Sequence, residues 1–275
     1  MLGLNSLFTI TSLFKALLLM FFLGFSSWSD WRTREVDDRF WLICGVLCGG
    51  LTGYELYLLY ITSFEAFTSM ATLTAASTVL CFLFGLSFFY AGLFGGADAK
   101  ALWCLGVSVP VYPYAFSNLL PLTRVLLPVF PLTVLLNALI TVIPVSLYLA
   151  LRNTWLLIKG KPLFKGLESE SWLRKLALLF IGLKVPASSV KSMKYVFLLE
   201  RRSPNGGKSL KIFTSSSENT DFNEVGRLAE QLGGDVWVTP ALPLIVNITI
   251  GYLLALIVGD VPLLIVLRVL QLLRP

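Results

Sequence analysis

Residues 8–28 read Phe-Thr-Ile-Thr-Ser-Leu-Phe-Lys-Ala-Leu-Leu-Leu-Met-Phe-Phe-Leu-Gly-Phe-Ser-Ser-Trp and run straight into Ser29-Asp30-Trp31-Arg32-Thr33-Arg34-Glu35-Val36. A predominantly apolar run of about 20 residues is what a helix needs to cross a bilayer, and this one ends on a carboxylate and two arginines. No basic stretch precedes the run, its flanking charge lies after it, and no small-residue cleavage pattern follows. It is therefore expected to stay in the mature chain as a first span. Five further stretches share its character, at 41–62, 70–94, 99–119, 129–151 and 241–259. Composition agrees: of 275 residues 56% are hydrophobic, mean hydropathy is +0.78 and histidine is absent, far from a soluble globular balance. Backbone groups in lipid must be satisfied within helices. The expected fold class is thus an all-α membrane protein, six transmembrane helices with a small α+β cytoplasmic domain inserted before the last span.

Charge sets the sidedness. A net charge of +6 suggests nucleic acid in a soluble chain, but here the distribution matters more than the sum, and no nucleic-acid partner is expected. With the N-terminus outside, the segments after spans one, three and five face the cytoplasm. They carry Arg32, Arg34, Arg39, Lys100 and nearly all the basic residues between Arg152 and Arg227, whereas 63–69 has none and 120–128 only Arg124. The positive-inside rule therefore gives an N-out, multi-pass protein of the cell membrane. The expected divisions are a membrane part with five spans over 1–151, a cytoplasmic domain over 152–238, and a last span with its tail over 239–275.

Within the polar region, Ser171 to Leu183 has the periodicity of an amphipathic helix, with Trp172, Leu173, Leu176, Leu179, Phe180 and Leu183 on one stripe, suited to lying along lipid. Tyr195–Glu200 and Leu210–Thr214 read as strands of a hairpin around Asn205-Gly206. Asp221 and Glu224 have capping-box spacing for a helix that stops at Gly233-Gly234, and Asp235–Val238 reads as a last strand. The basic character of the region fits two readings equally, attraction to anionic headgroups and simple retention on one side. Cys44, Cys48, Cys81 and Cys104 fall in or beside apolar segments without zinc or disulfide spacing, and read as small buried hydrophobes.

The available chemistry is narrow. Without histidine, Ser-His-Asp and Cys-His nucleophiles and His-based metal sites are excluded. What remains is a carboxylate pair, Asp30 after the first apolar run and Asp98 after the third, in Phe94-Gly95-Gly96-Ala97-Asp98-Ala99-Lys100. Two neighbouring carboxyls cannot both ionise cheaply, so one keeps its proton while the other acts as base, the arrangement of aspartic proteolysis. Gly95, Gly96 and Ala97 leave little bulk beside the acid, so a substrate backbone can approach. By spacing alone, Gly95-Gly96 equally fits a helix stop with Asp98 capping the next helix. Lys100 and Arg32, each two residues past an aspartate, fit charge holders or headgroup anchors. Glu35, Asp37 and Asp38 read as partners of Arg34 or Arg39; Glu55, Glu65 and Asp260 fall toward the outer face.

Ser29 to Val36, with Trp41 opening the next span, resembles the first active-site region of type IV prepilin peptidase-like aspartic proteases, particularly the archaeal preflagellin (archaellin) and prepilin peptidases. Gly95 to Lys100 is similar to their second region, the GxGD pattern, with Ala97 at the usual third-position glycine. Trp237-Val238-Thr239-Pro240-Ala241-Leu242-Pro243-Leu244 and Gly259-Asp260 resemble the C-terminal end of archaeal members. The resemblance implies a membrane aspartic endopeptidase that removes the short basic leader (the class III signal peptide) from archaellin or pilin-like precursors at the cytoplasmic face. Asp30 and Asp98 would be the catalytic pair and Gly95, Gly96 and Ala97 the substrate approach. Neither the paired-cysteine zinc motifs nor the methylating region of bacterial relatives is present, so no cofactor, no metal and no methyltransferase activity are expected; membrane lipid is the other partner. No oligomeric state is assigned. Pro240-Ala241-Leu242 matches a tripeptide of presenilin and signal peptide peptidases, but Asp30 follows serine at a basic loop, unlike their aspartates. An ion-coupled transporter using the same two acids would show an internal repeat of spans, and none is visible.

Overall fold

The computed structural model describes residues 2–91, 94–120, 125–202, 208–211 and 222–273. The first apolar run forms α1 (Leu2–Thr33), followed by α2 (Asp38–Thr62) and α3 (Phe64–Tyr90). Each break has a local cause. Arg34 adopts a left-handed conformation (φ 59°) and its N–H donates to the Asp30 carbonyl at 3.1 Å, an αL stop for α1. Asp37 then caps α2 by accepting from the Arg39 N–H at 2.8 Å, and the Ser63 hydroxyl caps α3.

The stretch at 99–119 was expected to be one span and is instead two helices, α4 (Gly96–Ser108) and α5 (Tyr114–Leu119). Pro110 and Pro113 lack the N–H that would carry the ladder, and Val109, which precedes a proline, leaves helical geometry. After α6 (Phe130–Ile158), the last apolar stretch forms the shorter α10 (Leu244–Ile257). Gly259 at φ 96° then turns the chain into α11 (Val261–Leu272), which the sequence reading did not anticipate. Among the described residues four helices are long and apolar enough to cross a membrane, Ser6–Thr33, Asp38–Thr62, Phe64–Tyr90 and Phe130–Ile158, with α10 and α11 as shorter apolar helices. The mostly helical membrane class holds.

Two compact units emerge, Met1–Thr141 with Pro243–Pro275, and Val142–Leu242. The first is a helix bundle whose core joins Leu19, Phe22 and Leu23 of α1 to Cys44 and Cys48 of α2, Leu102 and Leu105 of α4, Phe130 and Val134 of α6, and Ile248 and Tyr252 of α10. Small residues let the helix backbones close up. A Cβ at Gly106 would stand 2.6 Å from the Cβ of Cys81, and one at Gly251 would stand 2.5 Å from the Val134 carbonyl oxygen. The outer side is apolar too, as with Ile10, Phe14, Leu17 and Phe21 along α1. A helix hydrophobic all round suits a membrane. All four cysteines are free and buried.

The second unit holds the end of α6, then α7 (Trp172–Ile181), β1 (Leu183–Pro186), α8 (Ala187–Val190), β2 (Val196–Leu198), β3 (Glu200–Arg202), β4 (Lys208–Leu210), α9 (Phe222–Leu232) and β5 (Asp235–Pro240). β5 is the middle strand of an antiparallel sheet ordered β1-β5-β2, with Leu183 opposite Val238 and Val196 opposite Pro240. Both its faces are covered: Val236 and Val238 pack with Val225 and Ala229 of α9, while Trp237 packs with Leu163, Leu178 and Leu199. The hairpin is β3–β4, Glu200 opposite Leu210, shifted from the expected strands because 196–198 pairs with β5 instead. Its Asn205-Gly206 turn, residues 212–214 and Asp221 lie outside the described residues. The expected helix toward Gln231 is α9, stopped by Gly233 and Gly234 at φ 64° and 63°.

Candidate active site

Asp30 stands in the last turn of α1, only 9% exposed, and its Oδ2 is buried with no hydrogen-bond partner among the described residues. An unsatisfied buried oxygen is costly, so its presence asks for a role. Phe40 of α2 packs against Phe22 and Phe25, with ring centroids 4.8 Å apart in both pairs, which fixes the start of α2 beside this turn. The connecting loop is tied down by Ser29, whose hydroxyl donates to the Glu35 carbonyl at 2.7 Å.

Asp98 opens α4 at its third position. Its Oδ2 accepts from the Gly95 N–H at 2.8 Å, one half of a capping box whose other half glycine cannot supply. A Cβ on Gly95 would sit 3.2 Å from that oxygen, whereas one on Gly96 would meet only Phe89 at 3.9 Å. Gly95, Gly96 and Ala97 are all half-buried, and Ala97 packs on the bundle core. Phe94, just upstream, is buried in that core 4.8 Å from the Phe88 ring, and anchors the turn.

Asp30 lies within electrostatic reach of Asp98. Asp98 as a residue is half-buried, yet burial pushes its carboxyl up to about 7; the charge of Asp30 adds to the push, while the Gly95 N–H and the Arg34 guanidinium oppose it. A carboxyl so placed holds a proton near neutral pH, as a general acid must. The helix-stop reading of Gly95-Gly96 and the acid-pair reading are compatible, since the hydrogen bond that caps α4 also orients the acid.

The surrounding charges are arranged otherwise than expected. Lys100 pairs with Asp38, linking the starts of α4 and α2, and Arg32 lies over the Trp28 ring at 5.1 Å. Asp37 accepts from the Arg39 backbone N–H as the α2 cap, since residues so near a helix start are captured by its free N–H groups. Arg34 is turned partly inward while Arg32 and Arg39 are exposed, and it is the loop cation within electrostatic reach of Asp98. Ser26, one turn before Asp30, is fully buried; its i−4 spacing was the available signal. Lys15 of α1 and Glu55 of α2 form an ion pair at 3% and 1% exposure, with Lys15 also donating to the Thr52 hydroxyl at 3.2 Å. One lysine and one glutamate in adjacent apolar runs were the cue to it. Asp260 is likewise buried and accepts from the N–H groups of Leu126 and Leu127.

With this geometry in view, the sequence comparisons are specific. The model of the type IV leader peptidase family matches residues 17–150, and that of the archaeal Peptidase A24 C-terminus, type II, matches residues 174–261. The preflagellin peptidase of Methanococcus voltae is 29% identical over 238 residues, covering 86% of this chain and 91% of its own. That of Methanocaldococcus jannaschii is 29% identical over 236 residues, with coverage of 84% and 88%. That of Methanococcus maripaludis is 29% identical over 245 residues, with coverage of 86% and 90%.

Proposed function

The chain belongs to the type IV leader peptidase family, and on that premise we propose that Asp30 and Asp98 are its catalytic pair. The protein is a membrane aspartic-type endopeptidase that cleaves leader peptides of the archaellin and pilin-like class; the presenilin-like and transporter readings have no comparable support. The observation that carries the residue assignment is Asp98, held by the Gly95 N–H at the start of α4 and electrostatically coupled to Asp30 at the end of α1.

In this reading Asp98 holds the proton and Asp30 is the base. The ionised carboxylate takes a proton from water as its oxygen attacks the scissile carbonyl carbon. Asp98 donates its proton to the carbonyl oxygen; the tetrahedral intermediate then collapses as Asp30 passes the proton taken from water to the leaving nitrogen and a hydroxyl of the intermediate returns a proton to Asp98. Gly95, Gly96 and Ala97 form the wall along which the substrate backbone approaches. The site faces the cytoplasm in an N-out chain. Residues 99–119 and α10 complete the crossings to six, and 152–238 is the cytoplasmic domain between the membrane parts 1–151 and 239–275. The positive-inside bias supports that arrangement. The substrate is an archaellin or pilin-like precursor with a basic leader, drawn by the acids Glu35, Asp37 and Asp38 on the loop after Asp30.

The test uses purified protein in lipid vesicles and an archaellin precursor. Asp30→Asn and Asp98→Asn each abolish cleavage while inserting normally, and Glu35→Gln retains most activity. Full activity in either aspartate variant removes that residue from the mechanism.

A further inference from the structure

The helix α7 presents apolar side chains in two directions. Leu178 faces inward to the core around Trp237 and is fully buried, with Leu179 and Ile181 partly buried beside it. Trp172 and Leu173, at 70% and 59% exposure, and Leu176 and Phe180, at 43% and 44%, face outward. The single stripe expected from the sequence is therefore divided, part serving the domain core and part left uncovered. Exposed apolar surface of this kind, spread from Trp172 to Phe180, marks an interaction face.

What covers it is indicated by the element to which α7 is tied. The amide of Asn153, on α6, donates to the carbonyls of Leu179 at 3.0 Å and Gly182 at 2.8 Å. Asn153 lies inside the apolar helix Phe130–Ile158, more than a turn before its end. The C-terminus of α7 is consequently held at the level of the last turns of a membrane-crossing helix. At that level α6 itself shows exposed Leu151, Trp155 and Ile158, and Lys159 lies over the Trp155 ring at 3.7 Å. A tryptophan with a lysine folded back on it is the pattern of a span end at the headgroups. The flanking charge is complementary to anionic lipid: residues 152–175 contain six Lys or Arg and two Glu.

We propose that α7 is an interfacial helix, with Trp172, Leu173, Leu176 and Phe180 inserted among the acyl chains of the bilayer that α6 crosses and the surrounding lysines against anionic headgroups. This goes beyond the protease reading and does not depend on it. The anchor fixes one wall of residues 142–242 to the membrane surface.

The full-length protein carries its own control for the test, because its four cysteines are buried and a new surface cysteine labels selectively. Leu176→Cys and Glu230→Cys are labelled with an environment-sensitive fluorophore in vesicles of phosphatidylcholine and phosphatidylglycerol. The expected result is a several-fold greater quenching of the Leu176→Cys label by lipids doxylated high on the acyl chain, with protection from aqueous iodide, and the reverse at Glu230→Cys. Iodide quenching at Leu176→Cys equal to that at Glu230→Cys overturns the proposal. So does protection from both quenchers together with disulfide cross-linking between chains, which assigns the face to a second copy. Repeating the measurement in vesicles of phosphatidylcholine alone is expected to weaken the doxyl quenching; unchanged quenching overturns the headgroup part.

Discussion

The backbone N–H of Gly95 donates to the Asp98 carboxylate at 2.8 Å, so the residue that caps α4 also holds the acid that opens it. A methyl at position 95 would stand 3.2 Å from that same oxygen, whereas one at 96 meets only ordinary contact. The two glycines therefore have different jobs.

From this, Gly95→Ala is expected to slow leader cleavage by roughly tenfold or more, since displacing a reacting group by a fraction of an ångström is already costly. Gly96→Ala is expected to keep the folded state and to lower the rate only if substrate runs along that wall. Single-turnover cleavage of an archaellin precursor separates the two. Equal rates for both variants and the native chain would dismiss the role given to Gly95.

The pH dependence follows from Asp98, which burial pushes up to about 7. In the proposed mechanism Asp98 acts in its protonated form, so the rate is expected to fall as pH rises through about 7. The folded state binds this proton more tightly than the unfolded chain, whose carboxyl keeps its ordinary value of 3.8, so stability present at low pH is lost as pH rises toward 7. Asp98→Asn is neutral throughout and is expected to raise the melting temperature most at about pH 8, relative to the native chain, and hardly at all in acid.

Arg34 opposes the upward push on Asp98 while its own backbone is left-handed. Arg34→Gly removes the charge and suits the turn, so the chain is expected to fold at least as well while the alkaline limb of the rate profile moves to higher pH. Arg34→Lys keeps a cation and should leave that limb near its native position. An unmoved limb in the glycine variant argues that Arg34 acts only on the helix end.

Lys15 and Glu55 are each other's compensation inside the bundle. Lys15→Met or Glu55→Met alone leaves a buried charge unpaired and is expected to cost about 3–5 kcal/mol, whereas the double variant recovers most of that. Thermal unfolding in detergent across the four proteins measures the coupling; additive losses would mean that the pair is not the unit.

Gly251→Ala drives a methyl to 2.5 Å from the Val134 carbonyl oxygen and is expected to disrupt the packing of α10 on α6. Gly53→Ala, in α2 with nothing within 4 Å, is expected to stabilise the helix by about 0.5–1 kcal/mol. Unfolding midpoints check both.

What was legible in the residues alone is what local chemistry controls. Apolar run length identified the membrane class, loop charge suggested a sidedness, and the absence of histidine with two acids at span ends narrowed the chemistry to a carboxylate pair. Periodicity found α7, while capping-box spacing and the Gly233-Gly234 pair found α9 and its end. Tertiary structure decided the rest. Whether residues 99–119 make one helix or two depends on whether Pro110 and Pro113 can find other partners, and the Pro110 carbonyl does, accepting from the Phe130 N–H at 3.0 Å. Which cation reaches Asp98 depended on the turn at Arg34, not on the two-residue spacing of Arg32 and Lys100. The partnership of Lys15 with Glu55, forty residues apart, is set by how α1 and α2 pack. Apolar periodicity marks a face as buried in something, protein or lipid, and it is the packing of helices against one another that assigns each side chain to one or the other.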